Sequence, residues 1–447
     1  MFSVFASLGV RNYRLRFAGG VIGNTGTWMQ RVAQDWLVLT ELTDDSGLAV
    51  GVVTALQFGP SLVLSPLAGL VADRLPKRAI LMATQAAQGG LAIVVGVLVL
   101  TNTVKLWHVC VLAGLLGVVT AFDAPANQTF VGQLVPARLL ANAVALNAAS
   151  FNLSRMLGPA LAGGMMSLTG PGWVFLVNGA SFAAPIIALG MIRTSELHLR
   201  DLVSRGKGQI REGLAYVAHR ADLVIIFIVV GVVSCLGFNT QLTMAVMARE
   251  EFGRGAGEYG ILGSILAVGA LAGSLLAARR SRPRLRLVIG AAFAFGLASV
   301  VSALSPSYWF FAIWGVVVGL TSLTLITSAN ATIQLSTAPQ MRGRVMSLYL
   351  VVFLGSTPIG SPLIGWVAEV WGPRWSIGVG AIASLAVCMA AAIWIKLRWR
   401  VGLEVTGLLP PHVAIVRERV EPRQGPQPAE PRQDPRAREP SQDPPPP

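Results

Sequence analysis

The sequence predicts an all-α polytopic membrane protein of twelve transmembrane helices, arranged as two related six-helix bundles. Three observations carry this reading. Only 13% of the 447 residues are charged and 53% are hydrophobic, against about 25% charged in a soluble domain, so the chain could not cover a globular surface. Apolar runs of about 20 residues recur from one end to the other, each long enough to cross roughly 30 Å of hydrocarbon. Rare polar and kinking residues also repeat at one offset: Asn127 and Asn330, Thr129 and Thr332, Pro136 and Pro339, and Pro159 and Pro362 each lie 203 residues apart. Each set covers a helix end, a turn and the next helix, as a duplicated scaffold would.

The spans are expected at 17–40, 47–71, 79–101, 106–130, 138–168, 173–192, 222–248, 258–278, 286–305, 308–332, 343–369 and 374–397. Several exceed the length needed to cross a bilayer and imply tilt or extension into water. Domain boundaries follow. Residues 1–192 form an N-terminal bundle, 193–221 a central loop, 222–400 a C-terminal bundle and 401–447 a tail.

Orientation is read from Lys and Arg. One set of loops carries Arg11, Arg14, Arg16, Arg74, Lys77, Arg78, Arg138, the basic residues from Arg193 to Arg220, the arginines from Arg279 to Arg286, Arg342, Arg344, Lys396, Arg398 and Arg400. The alternate loops carry Lys105, Arg249, Arg254 and Arg374, along with Glu41, Asp44, Asp45, Glu250, Glu251 and Glu258. This asymmetry predicts a multi-pass protein of the inner (cytoplasmic) membrane with both termini in the cytoplasm. The first span follows Arg11, Arg14 and Arg16 without a small-residue cleavage site, so no cleaved signal peptide is expected.

A net charge of +14 invites a nucleic-acid partner. The basic residues lie in short loops between apolar runs, however, so no nucleic acid is expected. Cys110, Cys235 and Cys388 all sit in apolar runs and read as small hydrophobes. The four histidines lack metal-ligand spacing, so neither a metal nor a cofactor is expected. No phosphate-binding loop or nucleophile elbow appears, which argues against an enzyme. In the central loop, Ile210, Leu214 and Val217 share one helical face, predicting an amphipathic helix on the membrane surface or a solvated linker helix. The Pro-, Arg- and Gln-rich tail is expected to be disordered.

The stretch Gly69-Leu-Val-Ala-Asp73-Arg74-Leu-Pro76-Lys77-Arg78 packs four charges into six residues between apolar runs, so it reads as a tight turn on an aqueous face. With twelve spans, a six-plus-six repeat and a central loop, it resembles the loop between spans two and three of the major facilitator superfamily. The resemblance covers about residues 8–400. Many members have Gly where Pro76 stands. Asn24-Thr-Gly-Thr-Trp28-Met-Gln, Asp123-Ala-Pro125-Ala-Asn-Gln, Gly158-Pro159-Ala-Leu-Ala-Gly163-Gly164 and Met341-Arg342-Gly343-Arg344-Val345-Met346 resemble the enterobactin-exporter and macrolide-efflux branch. That branch implies export of amphipathic small molecules in exchange for protons. The resemblance also implies a gate on the cytoplasmic side, in which Asp73 pairs with Arg342 or Arg344 and Asp123 joins them. Gly69, Arg74, Lys77 and Arg78 complete that loop. Basic residues that only set topology are the simpler reading.

Within the spans, Arg31 and Asp35 sit one turn apart near the middle of span one, where each charge costs at least about 2.5 kcal/mol unless it faces water or a partner. They are expected to pair and, with Asn24, Gln30 and Gln34, to form the substrate or proton pathway. A buried pair fixing span one is the alternative. Arg155, with Asn147, Asn152 and Ser154, could line the cavity, neutralise Asp123 or bind a lipid headgroup. Gly158-Pro159 and Gly163-Gly164 resemble the span-five motif of antiporters, with three residues rather than two between the Pro and the Gly pair. They serve as a packing hinge. Asn239, Thr240 and Gln241 interrupt span seven and join the pathway set. Thr321, Ser322, Thr324, Thr327, Ser328 and Asn330 line span ten, where hydroxyls commonly bond their own helix. Trp28, Phe58 and Phe238 could stack on a ligand.

The expected function is a proton-coupled exporter of amphipathic molecules, acting as a monomer in the lipid bilayer. Import is open to the same scaffold. A lysophospholipid flippase is the runner-up, and a receptor or scaffold using the tail is the remote alternative.

Overall fold

A computed structural model describes residues 5–198, 209–278, 285–399, 401–406 and 412–417. The side chains of Pro66, Asp73, Gln209 and Ile210 lie outside the described set, as do the basic residues from Arg200 to Lys207 and from Arg279 to Arg284.

The chain is helical along the predicted spans. In the first half run α1 (Arg11–Thr40), α2 (Gly47–Arg74), α3 (Lys77–Leu100), α4 (Leu106–Leu134), α5 (Leu140–Thr169), α6 (Pro171–Ser181) and α7 (Ala183–Gly190). After α8 (Gln209–Ala218), the second half holds α9 (Ala221–Leu236), α10 (Thr240–Val246), α11 (Ala256–Ala278), α12 (Leu285–Ala303), α13 (Tyr308–Ser336), α14 (Pro339–Trp371) and α15 (Pro373–Trp399). Among the described residues, ten segments are long and apolar enough to cross a membrane on composition alone. The thirty-residue helices α1 and α5 are not among them. These are the helices that carry Arg31, Asp35 and Arg155, and the same polar load explains their lower hydropathy.

The turns follow from side-chain chemistry. Ser46 accepts from the Ala49 amide at 3.2 Å and Ser307 from the Phe310 amide, capping α2 and α13. α5 ends at Gly170 (φ 82°) and α14 at Gly372 (φ 94°), and each is followed by Pro at the first position of the next helix. Glycine takes the left-handed backbone without a Cβ clash, and proline suits the new helix start. The two turns occupy equivalent places in the two halves.

The halves meet through α2 against α14 and α5 against α11. These are spans two with eleven and five with eight, so exchanging the halves turns one contact into the other. Both contacts require glycine. A methyl on Gly260 would run into the Pro159 carbonyl oxygen, and one on Gly51 into the Ser361 carbonyl next to Pro362. Ser264 of α11 donates to the Met156 carbonyl at 2.6 Å and accepts from the Ala160 amide at 3.1 Å, bridging the α5 backbone beside Pro159.

One end of the molecule, carrying the acidic loops, is sealed across the two halves. Arg249 meets Asp45 at 3.0 Å, and Ser46 donates to Glu369 at 3.2 Å. The buried core at this end draws on both halves, from Leu37 and Val50 to Met247 and Ile364. Towards the basic-loop end, the core around Tyr13, Leu81, Phe130 and Leu146 belongs to the first half alone. Among the described residues, the hydrogen bonds and ion pairs that join the halves reach no deeper than Met156 and Ser264.

Two expectations change. α8 packs on the first turns of α14: Gly213 lies against Arg344 and Leu348, and Arg344 meets Glu212 at 2.6 Å. Val217 is buried while Leu214 is exposed, so the predicted apolar stripe divides between protein and surroundings. In the tail, Val401–Thr406 and His412–Arg417 (β1 and β2) pair as an antiparallel hairpin, where disorder was expected. In β1 the apolar residues Val401, Leu403 and Val405 alternate with others in the β period, whereas β2 carries the continuous apolar run from Val413 to Val416. Residues 407–411 and 418–447 lie outside the described set.

Candidate functional site

Asn24, Trp28, Arg31 and Asp35 fall at successive turns and so form one stripe along α1. The Arg31 guanidinium lies 4.7 Å from the Trp28 ring centre and 5.3 Å from that of Phe58 on α2. Trp28 packs edge-on against Phe151 of α5 at 5.7 Å, and its Cβ crowds Gly158. Arg155 lies four residues after Phe151 and three before Gly158, which puts it on the α5 face turned toward Trp28. Its Nε and Nη2 are buried with no hydrogen-bond partner, as is Arg31 Nε. Near the middle of α1 and α5, one cation therefore lies over the Trp28 indole and a second shares the α5 face that Trp28 packs against.

Asp35 does not close the expected ion pair with Arg31; no contact within 4.0 Å joins them among the described residues, although they remain in Coulombic reach. Asp35 is only 8% exposed and instead accepts from the Tyr259 hydroxyl of α11 at 3.4 Å. Tyr259 stacks on Trp36 (centroids 5.7 Å apart, planes 21° apart) and its hydroxyl also reaches the Gln241 carbonyl. The carboxyl is thus shared between the halves. It lies five residues before the end of α1, nearer the sealed end than the middle.

Other expected pathway residues have structural partners. Gln30 bonds Asn178 within the first bundle, and Gln34 donates to Gln57 at 3.1 Å. Asn239 donates to the Cys235 carbonyl and accepts from Ser361, which joins the break between α9 and α10 to α14. Gln241 contributes its backbone carbonyl. The hydroxyls of Thr321, Ser322, Thr324 and Thr327 bond their own helix. Phe238 packs on Phe295 and Phe353. Pro159 and Gly163 meet α11, whereas Gly164 faces open space, so the small pair at this contact is Ala162-Gly163.

The Asp73 side chain of the expected charged gate lies outside the described residues, and among the described residues Asp123 meets neither Arg342 nor Arg344. Asp123 accepts from Thr84 at 2.7 Å and Gln85 at 3.1 Å, within Coulombic reach of Arg16. Arg16 is 8% exposed and donates to Asn127 at 2.7 Å. Neither Arg342 nor Arg155 pairs with Asp123 among the described residues. Arg344 is engaged by Glu212, Arg342 and Arg74 are exposed, and Arg78 donates to the Gly190 carbonyl at 2.8 Å. Gly69 is buried, and the Asp73 side chain lies outside the described residues. Nearby, Arg220 binds Asp222 and the Ser336 carbonyl, and the Asp222 hydrogen bonds hold its guanidinium above the usual value.

Arg16 and Tyr259 were missed as site residues. Arg16 sits where hydropathy puts span one's edge, but α1 starts at Arg11 and carries it into the bundle. Tyr259 lies beside Glu258 at a predicted span end, and no local signal points it at α1.

Residues 2–428 match the family described as transmembrane secretion effector. The chain belongs to that family, within the major facilitator superfamily. This major facilitator protein is 22% identical over 372 residues to the staphyloferrin A transporter of Staphylococcus aureus, covering 81% of the chain and 91% of that protein. It is 27% identical over 362 residues to the multidrug efflux pump Tap of Mycolicibacterium fortuitum (78% and 87% covered). Its identity to macrolide efflux protein A of Streptococcus pyogenes is 21% over 388 residues (85% and 95% covered). In fold it is similar to a bacterial homologue of the human lysosomal transporter Spinster in an inward-facing, unoccupied conformation, with TM-score 0.66, 14% identity and 87% and 98% of the two chains covered. A POT family transporter in complex with a thioalcohol-conjugated peptide gives TM-score 0.70 at 11% identity, with 87% and 96% covered. The chain is therefore a multi-pass membrane transporter.

Proposed function

We infer that this transporter exports amphipathic small molecules from the cytoplasm in exchange for protons, by alternating access between the two bundles, with α1 and α5 as the eleventh and twelfth crossings. The observation that carries the reading is Asp35, a buried carboxyl on one half held by the Tyr259 hydroxyl of the other. The basic loops support a cytoplasmic assignment for the end where the halves lack mutual bonds. On that assignment, we read the structure as the state sealed outside, the seal being the Arg249–Asp45 and Ser46–Glu369 contacts. The unassembled cluster of Asp123, Arg342 and Arg344 is consistent with it, because such a gate would close only in the opposite state. Export as the direction is supported by the efflux names of two relatives.

The coupling follows from the contact. A carboxylate accepts a stronger hydrogen bond than a carboxylic acid does. Opening the outer end pulls Tyr259 away from Asp35 and admits water to it, so proton occupancy and the outer seal are linked.

Asp35→Asn keeps the shape and removes the charge. In inverted vesicles with an imposed pH gradient, the variant is expected to lose more than tenfold of its dye uptake while expressing normally. Undiminished uptake would remove Asp35 from the coupling.

A further inference from the structure

We propose that the side-chain cluster of Trp28, Arg31, Phe58, Phe151 and Arg155 is a receptor for the oxyanion group of the transported molecule, so that the substrate class is amphipathic carboxylates and related anions. The inference rests on reading the α1 face as the wall of the transport pathway.

The first argument is a charge count. Away from their ends, and apart from Arg344, which Glu212 pairs, the described transmembrane helices carry two carboxyls, Asp35 and Asp123, and three guanidiniums, Arg16, Arg31 and Arg155. Asp123 is taken by Thr84, Gln85 and the nearby Arg16. Asp35 is turned to Tyr259. The second half brings acids only near helix ends, as with Asp222, Glu258 and Glu369. One positive charge is left over, and it falls on the Arg31–Arg155 pair.

The second argument is unspent bonding capacity. A guanidinium offers five N–H donors in a planar fork suited to an oxyanion. Arg31 Nε and Arg155 Nε and Nη2 are buried without an acceptor. Buried cations normally find an anion, and among the described residues none pairs with Arg155. The third argument is the surroundings. Trp28 and Phe58 give Arg31 an aromatic floor, and Phe151 packs on Trp28, which suits a ligand joining an apolar body to an anionic head. That chemistry belongs equally to a free amphipathic anion and to an anionic lipid headgroup.

The test uses the full chain in phosphatidylcholine nanodiscs with three fluorescent probes on one ring system: dansylglycine (carboxylate), dansylamide (neutral) and dansylcadaverine (cationic). Wild type is expected to bind dansylglycine at least tenfold more tightly than either of the others. Arg31→Gln and Arg155→Gln should each reduce dansylglycine affinity tenfold or more and leave dansylamide within twofold, which also reports that the pocket is folded. Arg155→Lys should retain most of the preference. Replacing phosphatidylcholine with phosphatidylglycerol separates the sources. Loss of dansylglycine binding there identifies a lipid headgroup as the competing anion, and persistence identifies a free amphipath. Equal affinity for the three probes, or a preference that survives both Gln variants, overturns the proposal. Exporter activity is read separately, from dye uptake in inverted vesicles. Uptake without anion preference sinks this inference alone, and anion preference without any transport sinks the exporter reading alone.

Discussion

Arg16 and Arg31 show how differently two arginines on one helix can be used. Arg16 is buried beside Asn127 and Asp123 within a single bundle, so its network is structural. Asp123→Asn should lower stability by about 1–3 kcal/mol, the usual cost of disturbing a buried charged network, and reduce proton-driven uptake per folded molecule, since Asp123 also belongs to the gate expected to close in the opposite state. Thermal unfolding and vesicle uptake on the same preparation check both halves of that statement. Tyr259 is the opposite case. Tyr259→Phe keeps the stack on Trp36 and deletes the hydroxyl given to Asp35. A 3.4 Å bond is long, so stability should move by less than about 1 kcal/mol, while the pH dependence of uptake should shift measurably. An unchanged pH profile would show that Tyr259 only packs. The ionisable residues of this region stand out in the sequence because charge inside an apolar run is costly. Their partners do not, since Arg31 and Asp35 are adjacent in the helix yet turn to Trp28 and Tyr259, and no spacing rule encodes that choice.

At the level of helices, most of the fold is legible because hydropathy and loop charge act locally. The spans, the central helix and the duplicated punctuation all come from such signals, and the Gly170-Pro171 and Gly372-Pro373 turns repeat the pattern. The docking of α8 on α14 and the hairpin at 401–406 and 412–417 were less legible. The first depends on a distant surface, and the second on a short β-period run inside a Pro-rich tail. The crossings of α2 with α14 and α5 with α11 depend on missing side chains. Gly260→Ala and Gly51→Ala force a methyl against backbone carbonyls that cannot swing aside. Each should cost about 1–3 kcal/mol, as overpacking does, measured as a lower unfolding temperature. Gly164→Ala, facing open space, should be neutral. Equal effects at all three positions would refute the close approach.

Across the whole molecule, the sealed end is held by modest forces. The Arg249–Asp45 pair is more than a third exposed on both sides, which limits it to less than about 1 kcal/mol. The Asp35–Tyr259 bond is long, the Ser46–Glu369 bond is exposed, and the rest is helix packing. Such a seal can be broken and re-formed, as two-state transport requires. With Cys110, Cys235 and Cys388 replaced, spin labels at Asp44 and Arg254 report the sealed end, and labels at Arg74 and Arg342 report the basic-loop end. Electron-spin distance distributions between these pairs, recorded in nanodiscs for wild type and Asp35→Asn at acidic and alkaline pH, test the account most directly. Two populations at each end, with the Asp44–Arg254 separation widening as the Arg74–Arg342 separation narrows, is the predicted result. A single fixed distance at both ends under every condition would contradict it.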